Sequence, residues 1–162
     1  MKEQARDFAI KCHGDQKYGE HPYSIHLDEV AEIASAYGDD ATVVAYLHDV
    51  VEDTDTTLEE IESLFGTLTS KCVAILTDEP GSNSKERKAK TYEKMARVSG
   101  ELELALIVKA ADRLANLRAC VAQANAGLLN TYKKEHPVFK QSVYRPNLCE
   151  PLWQEIEGIV NA

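Results

Sequence analysis

The stretch "YLHDVVEDTD", Tyr46 to Asp55, sets His48, Asp49, Glu52 and Asp53 among Leu47, Val50 and Val51. Apolar residues at that density predict a buried helix, and a buried carboxylate is costly unless something pairs with it. Helical residues three and four apart share a face. His48 therefore lines up with Glu52, and Asp49 with both Glu52 and Asp53, on one polar stripe. Leu47, Val50 and Val51 occupy much of the remaining helix surface. The rest of the chain has to supply positive charge at this stripe.

Working outward, the helical period continues in both directions. "DDATVVAYLHDVVED", residues 39–53, reads as one helix with Asp39 or Asp40 as its N-cap. Before it, "KEQARDFAIKCHG" reads as a first helix stopped near Gly14, and "SIHLDEVAEIASAYG" as a second stopped at Gly38. After it, "TLEEIESLFG" carries Thr57 and Glu60 at capping-box spacing and closes at Gly66. "TLTSKCVAILTD" is a further short amphipathic segment, "EPGSNS" is a loop, and "KERKAKTYEKMARV" is a basic helix. "ELELALIVKAADRLANLRACVAQAN" is long and largely apolar, and is expected at the centre. The tail from Gly127 reads as shorter helices punctuated by Pro137, Pro146 and Pro151, with Phe139 and Trp153 as core anchors. With no strand alternation, repeat or interior linker, the expectation is an all-α helical bundle forming a single domain over residues 1–162.

Composition narrows the function classes. The apolar share of 44% supplies a sizeable core. A net charge of −9 disfavours nucleic acid and anionic membrane as partners. The N-terminal residues are broken by charges, and no apolar run reaches the roughly 18 residues of a membrane span. Cys12, Cys72, Cys120 and Cys149 are scattered without a C-x-x-C pair and read as small buried thiols of a cytoplasmic protein.

The positive charge can come from a metal. "KAADRLANLR" sets Asp112 and Asn116 four residues apart amid Leu106, Ile107, Val108, Leu114 and Leu117. A lone carboxylate in such a helix needs a partner. His26, following "HPYSI", is a further candidate ligand. Two histidines and two aspartates make a mixed nitrogen and oxygen shell that suits Mn²⁺, Fe²⁺ or Zn²⁺ better than Ca²⁺. A divalent ion would hold the carboxylates ionised, and four protein ligands would leave positions open for water and substrate. Glu52 and Asp53, one turn on, would orient that water or exchange its proton. The competing reading is a solvated acidic helix face, against which Asp112 in its apolar helix argues.

Three ordered pieces, "HPYSIHLDEVAEI", "VAYLHDVVEDTDTTLEEIESLFG" and "LIVKAADRLANLR", resemble the HD superfamily of metal-dependent phosphohydrolases. The extension beyond the His-Asp doublet resembles more narrowly the hydrolase domain of the RelA/SpoT homologues, which degrade the alarmones ppGpp and pppGpp. The resemblance runs over residues 2 to 135 and implies an HD-domain helical bundle acting as a stand-alone small alarmone hydrolase of the stringent response. It implies His26, His48, Asp49 and Asp112 as ligands of one Mn²⁺, and Glu52 and Asp53 as the catalytic acid pair. It implies that Lys17 lies near the guanine base, that Asn116 contacts the guanine nucleotide, and that Tyr132 lines its pocket. The implied reaction releases the 3′-pyrophosphate of (p)ppGpp, leaving GDP or GTP.

"SKERKAK" adds Lys85, Arg87, Lys88 and Lys90 against a single Glu86, a cluster able to clamp distal phosphates, with Lys88 and Lys90 as the selected pair. A solvated basic face is the plainer reading of the same residues. No Gly-rich phosphate loop occurs. Gln16-Lys17 stands where the family often has Arg-Lys, His21 is an extra loop residue, and Ala115 and Ala119 replace larger or polar residues. His13 and His136 read as structural or exposed. Two other functions fit the same motifs: hydrolysis of another nucleotide, such as removal of the 2′-phosphate of NADPH, and a catalytically silent nucleotide sensor.

Overall fold

The computed structural model describes residues 1–162. Its elements run α1 (Lys2–His13), β1 (Lys17–Tyr18), β2 (His21–Pro22), α2 (Tyr23–Ala34), α3 (Asp39–Leu47), α4 (Val50–Asp53), α5 (Leu58–Phe65), α6 (Thr67–Leu76), α7 (Ser84–Ala96), α8 (Leu104–Ala122), α9 (Ala126–Val143) and α10 (Glu150–Val160). Short 3₁₀ turns at Ser35–Tyr37 and Gly100–Glu103 lead into α3 and α8. The all-α helical bundle expected from periodicity is the observed architecture. No helix is long and apolar enough to cross a membrane.

Helix α8 is the axis. Ala105, Ala110, Ala111 and Ala115 are all buried on it, and side chains that small let neighbouring helices approach closely. Around it a large core gathers Val30 and Ala34 of α2, Val44 of α3, Met95 of α7, Phe139 of α9 and Trp153 and Ile156 of α10. A second core lies on the other side of α3, where Val43 and Leu47 meet Ala5 and Ala9 of α1, Leu27 of α2, Val50 of α4 and Ile61 of α5. Phe139 and Trp153 are core anchors, with ring centroids 5.5 Å apart. Cys72, Cys120 and Cys149 are buried, Cys12 is half-buried, and none forms a disulfide.

Four local expectations change. The helix read over residues 39–53 breaks after Leu47, and Asp49 takes φ −108° and ψ 0°. The His48 ring supplies a reason. Its Nδ1 lies 2.5 Å from the Ala45 carbonyl oxygen, the acceptor that an unbroken helix would offer to the Asp49 N–H. The N-cap of α3 is Gly38 at φ 111°, and Asp39 and Asp40 fall inside the first turn, where their charge complements the helix dipole. Helix α9 continues through Pro137. Burial of His136, Phe139, Ser142 and Val143 on one face outweighs an interior proline, which costs roughly 3 kcal/mol. Finally, a two-residue ladder pairs Tyr18 with His21 across a turn at Gly19, whose φ of 61° suits glycine. By contrast the Thr57–Glu60 capping box forms as read.

Candidate active site

His26 comes from the first turns of α2, His48 and Asp49 from the break between α3 and α4, and Asp112 from the middle of α8. One ligand atom from each lies within 4.8 Å of all the others. His26 Nε2 stands 2.9 Å from Asp112 Oδ1. His48 Nε2 stands 3.0 Å from Asp49 Oδ2 and 3.3 Å from Asp112 Oδ1. The two histidines are 2% exposed, so this is a closed pocket of donors and not a surface patch.

The helix break gives the cage its orientation. With Nδ1 engaged at the Ala45 carbonyl, the neutral His48 ring presents only a lone pair at Nε2, and that atom is buried without a hydrogen-bond partner. It faces two carboxylates. Lone pairs converging in a buried space repel unless a cation or an added proton sits between them. Burial works against a charged His48, yet Asp49 and Asp112 outweigh it and push its pKa up. Burial likewise works against an ionised Asp112, yet His48, His26 and Lys109 hold its pKa well below the usual range. The pocket is built for concentrated positive charge, and two imidazoles with two carboxylates fit a divalent cation of the transition-metal type. Asp49 is steadied from outside the cage by the Tyr23 hydroxyl, which donates to its Oδ2. Outer hydrogen bonds of this kind orient ligands and tune the metal.

The cage opens into a cavity of about 170 Å³ lined by Glu52, Lys88, Lys109, Arg113, Asn116, Tyr132 and Glu135, among others. Glu52 stands at its rim and accepts the Asp78 backbone N–H at 2.7 Å. Partial desolvation raises its pKa, the Asp78 bond opposes that, and the Asp78, Asp49 and Asp53 charges add to the rise. Asp53, also raised by desolvation, lies outside this lining and accepts a bond from Gln16 Nε2 at 3.0 Å. Lys88 enters the cavity and pairs with Glu135 at 2.6 Å. Lys90 points away, to the Pro80 carbonyl and Glu86, over a separate shallow groove. Lys17 is exposed on β1 and lines no part of the cavity. Asn116 and Tyr132 are shared with an adjoining recess of about 190 Å³ that also holds Tyr18, Cys120 and Leu128.

The sequence profile of the HD domain family matches residues 5–141. The chain belongs to the HD domain family. Among curated relatives of this HD domain, guanosine-3′,5′-bis(diphosphate) 3′-pyrophosphohydrolase of Aquifex aeolicus is 38% identical over 120 residues, covering 72% of this chain and 17% of that protein. MESH1 of Danio rerio, which carries the same enzyme name, is 40% identical over 119 residues, covering 69% of this chain and 64% of that protein. MESH1 of Drosophila melanogaster is 33% identical over 128 residues, covering 76% and 70%. The HD domain thus spans less than two thirds of the first two relatives. A solved structure of a metazoan ortholog of SpoT, described as hydrolysing ppGpp, superimposes with a TM-score of 0.78 at 27% identity, covering 99% of this chain and 93% of that one. A crystal structure of a Listeria monocytogenes protein superimposes with a TM-score of 0.71 at 27% identity, covering 89% and 98%.

Several residues of this HD domain site escaped the reading of motifs. Lys109 lies one turn before Asp112, with Nζ 3.7 Å from its Oδ2. Its spacing on the long helix was available as a signal. Arg113 is held between the Tyr132 and Phe139 rings, at 4.4 and 4.0 Å, and donates to Tyr92 and Glu135. Tyr18 lies flat on the His26 ring at 4.5 Å and donates to Asn116 Oδ1 at 2.7 Å. Neither Tyr18 nor Tyr23 carried a sequence signal, because their partners lie far away in the chain.

Proposed function

We propose that this chain hydrolyses the 3′-pyrophosphate of guanosine 3′,5′-bis(diphosphate) or its 5′-triphosphate counterpart, releasing pyrophosphate and GDP or GTP. One observation carries the reading: four ligand atoms within 4.8 Å of one another open directly into a cavity lined by Glu52 and by Lys88, Lys109 and Arg113. The names of the relatives supply the substrate, and the family resemblance supplies Mn²⁺ as the ion, held by His26, His48, Asp49 and Asp112.

A divalent ion held by His26, His48, Asp49 and Asp112 would supply positive charge against the phosphoryl oxygens and lower the pKa of water at neutral pH. The chain's own residues do the rest. Glu52, with its pKa raised, takes a proton from the water that attacks the phosphorus bonded to the 3′ oxygen. Asp53 supports that transfer from the next position. The bond from the 3′ oxygen to phosphorus breaks, and the leaving 3′ oxygen takes up the proton that Glu52 removed from the water. Lys88, Lys109 and Arg113 stand against the diphosphate charge, which grows as the bond breaks. Asn116 and Tyr132, shared by the cavity and its recess, border the nucleoside. Lys17 and Lys90 reach the substrate in this reading only by swinging from their present positions. We treat residues 1–162 as one catalytic unit, with cytoplasmic residence supported by four thiols without a disulfide.

Incubation with ppGpp and Mn²⁺ is expected to release pyrophosphate, with Asp53→Asn retaining nucleotide binding and losing turnover. Metal-loaded protein that binds ppGpp without any release would make it a sensor. Orthophosphate as the product would point to another phosphoester.

A further inference from the structure

Asp53, taken as a working acid of the proposed reaction, needs its carboxylate held in place. Helix α4 is a single turn, Val50–Asp53, and Asp53 is its last residue with an exposed side chain. A turn that short has no intrinsic stability, so the carboxylate must be held from elsewhere. One such hold is present. Gln16 Nε2 lies 3.0 Å from Asp53 Oδ2, and Gln16 Oε1 lies 2.8 Å from His13 Nδ1.

We propose that His13 and Gln16 form a positioning relay that fixes the Asp53 carboxylate. The chemistry of the donors determines its polarity. An ionised carboxylate only accepts, so the nitrogen of the Gln16 amide must face Asp53. The amide oxygen then faces His13, whose Nδ1 must carry a proton to donate. The backbone of Gln16 is pinned on both sides: its N–H donates to the His13 carbonyl at 3.0 Å, and its carbonyl accepts the Tyr23 N–H at 3.1 Å. His13 is 7% exposed, and its ring centroid lies 4.7 Å from that of Tyr23, whose hydroxyl bonds Asp49. One segment from the end of α1 to the start of α2 therefore fastens both Asp49 and Asp53. The other ring nitrogen, His13 Nε2, is buried with no partner. That orphan atom carries a free-energy cost that an apolar residue would avoid. What histidine adds at this position is the Nδ1 donor.

The relay has a test that does not depend on turnover. Long-range proton–nitrogen NMR of the metal-free protein is expected to show His13 as the Nδ1–H tautomer, and Gln16→Leu is expected to disturb that signature. The opposite tautomer in the wild type overturns the relay, even if ppGpp proves not to be the substrate. In the pyrophosphate-release assay, Gln16→Leu is expected to lower kcat by about 10- to 100-fold, the scale of a mispositioned group, with KM and bound metal unchanged. His13→Leu fills the same volume and keeps the fold, so it should show the same loss with an undiminished Tm. His13→Asn, whose amide N–H stands near the Nδ1–H, should recover most of the rate, whereas His13→Gln should not. Equal activity of wild type and Gln16→Leu, or equal impairment of His13→Asn and His13→Gln, would reduce His13 to a core residue.

Discussion

Glu52 shows what the site asks of single residues. Its carboxylate stands beside Asp49, Asp53 and Asp78, and desolvation raises its pKa. A raised pKa means that folding favours the protonated form. Ionised Glu52 therefore works against stability above its folded pKa, and that opposition vanishes as pH falls below the unfolded value. Glu52→Gln, which keeps an acceptor for the Asp78 N–H, is expected to raise the Tm of the chelated protein at pH 7. The gain should stay within about 1 kcal/mol, since the side chain is exposed, and should fade by about pH 4. Pyrophosphate release should collapse in the same variant. Equal Tm values at pH 7 by calorimetry would contradict the electrostatic account. At this scale the candidate cage residues were legible, because His48 and Asp49 follow directly on an apolar helix and Asp112 stands inside one, where bare polarity is costly. Tyr18, Tyr23 and the Gln16 bond were not, since nothing local marks a tyrosine or glutamine whose partner lies tens of residues away.

Among the elements, the last turn of α7 depends on a residue from beyond α9. A helix ends with unsatisfied carbonyls. Arg145 Nη2 donates to the carbonyls of Met95, Ala96 and Val98 at 3.0, 3.3 and 3.1 Å, and its Nη1 to those of Ser142 and Tyr144. Arg145→Ala is expected to cost about 1.5–3 kcal/mol in urea unfolding, the range for hydrogen bonds to a charged group. Arg145→Lys should recover only part, since an ammonium cannot span the same fork. A loss under about 0.5 kcal/mol, typical of ordinary surface changes, would show that water replaces these bonds. Helix existence was readable from periodicity, and the α5 capping box from two letters. The break at His48–Asp49 and the passage of α9 through Pro137 were not. In both, a tertiary demand overrides local preference: the His48 ring takes the Ala45 carbonyl, and a buried face holds α9 together across its proline.

Across the whole molecule, the cage ties α2, the α3–α4 break and α8, and so joins the two cores that meet along α3. Binding to the folded state alone stabilises it by mass action, about 4 kcal/mol at a free concentration a thousand times Kd. Addition of Mn²⁺ should therefore raise the Tm, and a chelator should reverse the shift. Asp112→Ala should abolish it, and a shift that survives this substitution would place the ion elsewhere. The sequence by itself determined the all-α class, and it marked candidate ligands and the acids beside them. Helical period and the cost of buried charge are local properties written in adjacent letters. Only the tertiary structure decided that the four ligand atoms converge within 4.8 Å, that Lys88, Lys109 and Arg113 face the cavity while Lys90 turns away, and that Gln16 reaches Asp53. Those outcomes depend on how helices far apart in sequence pack against α8, and no single segment carries that information.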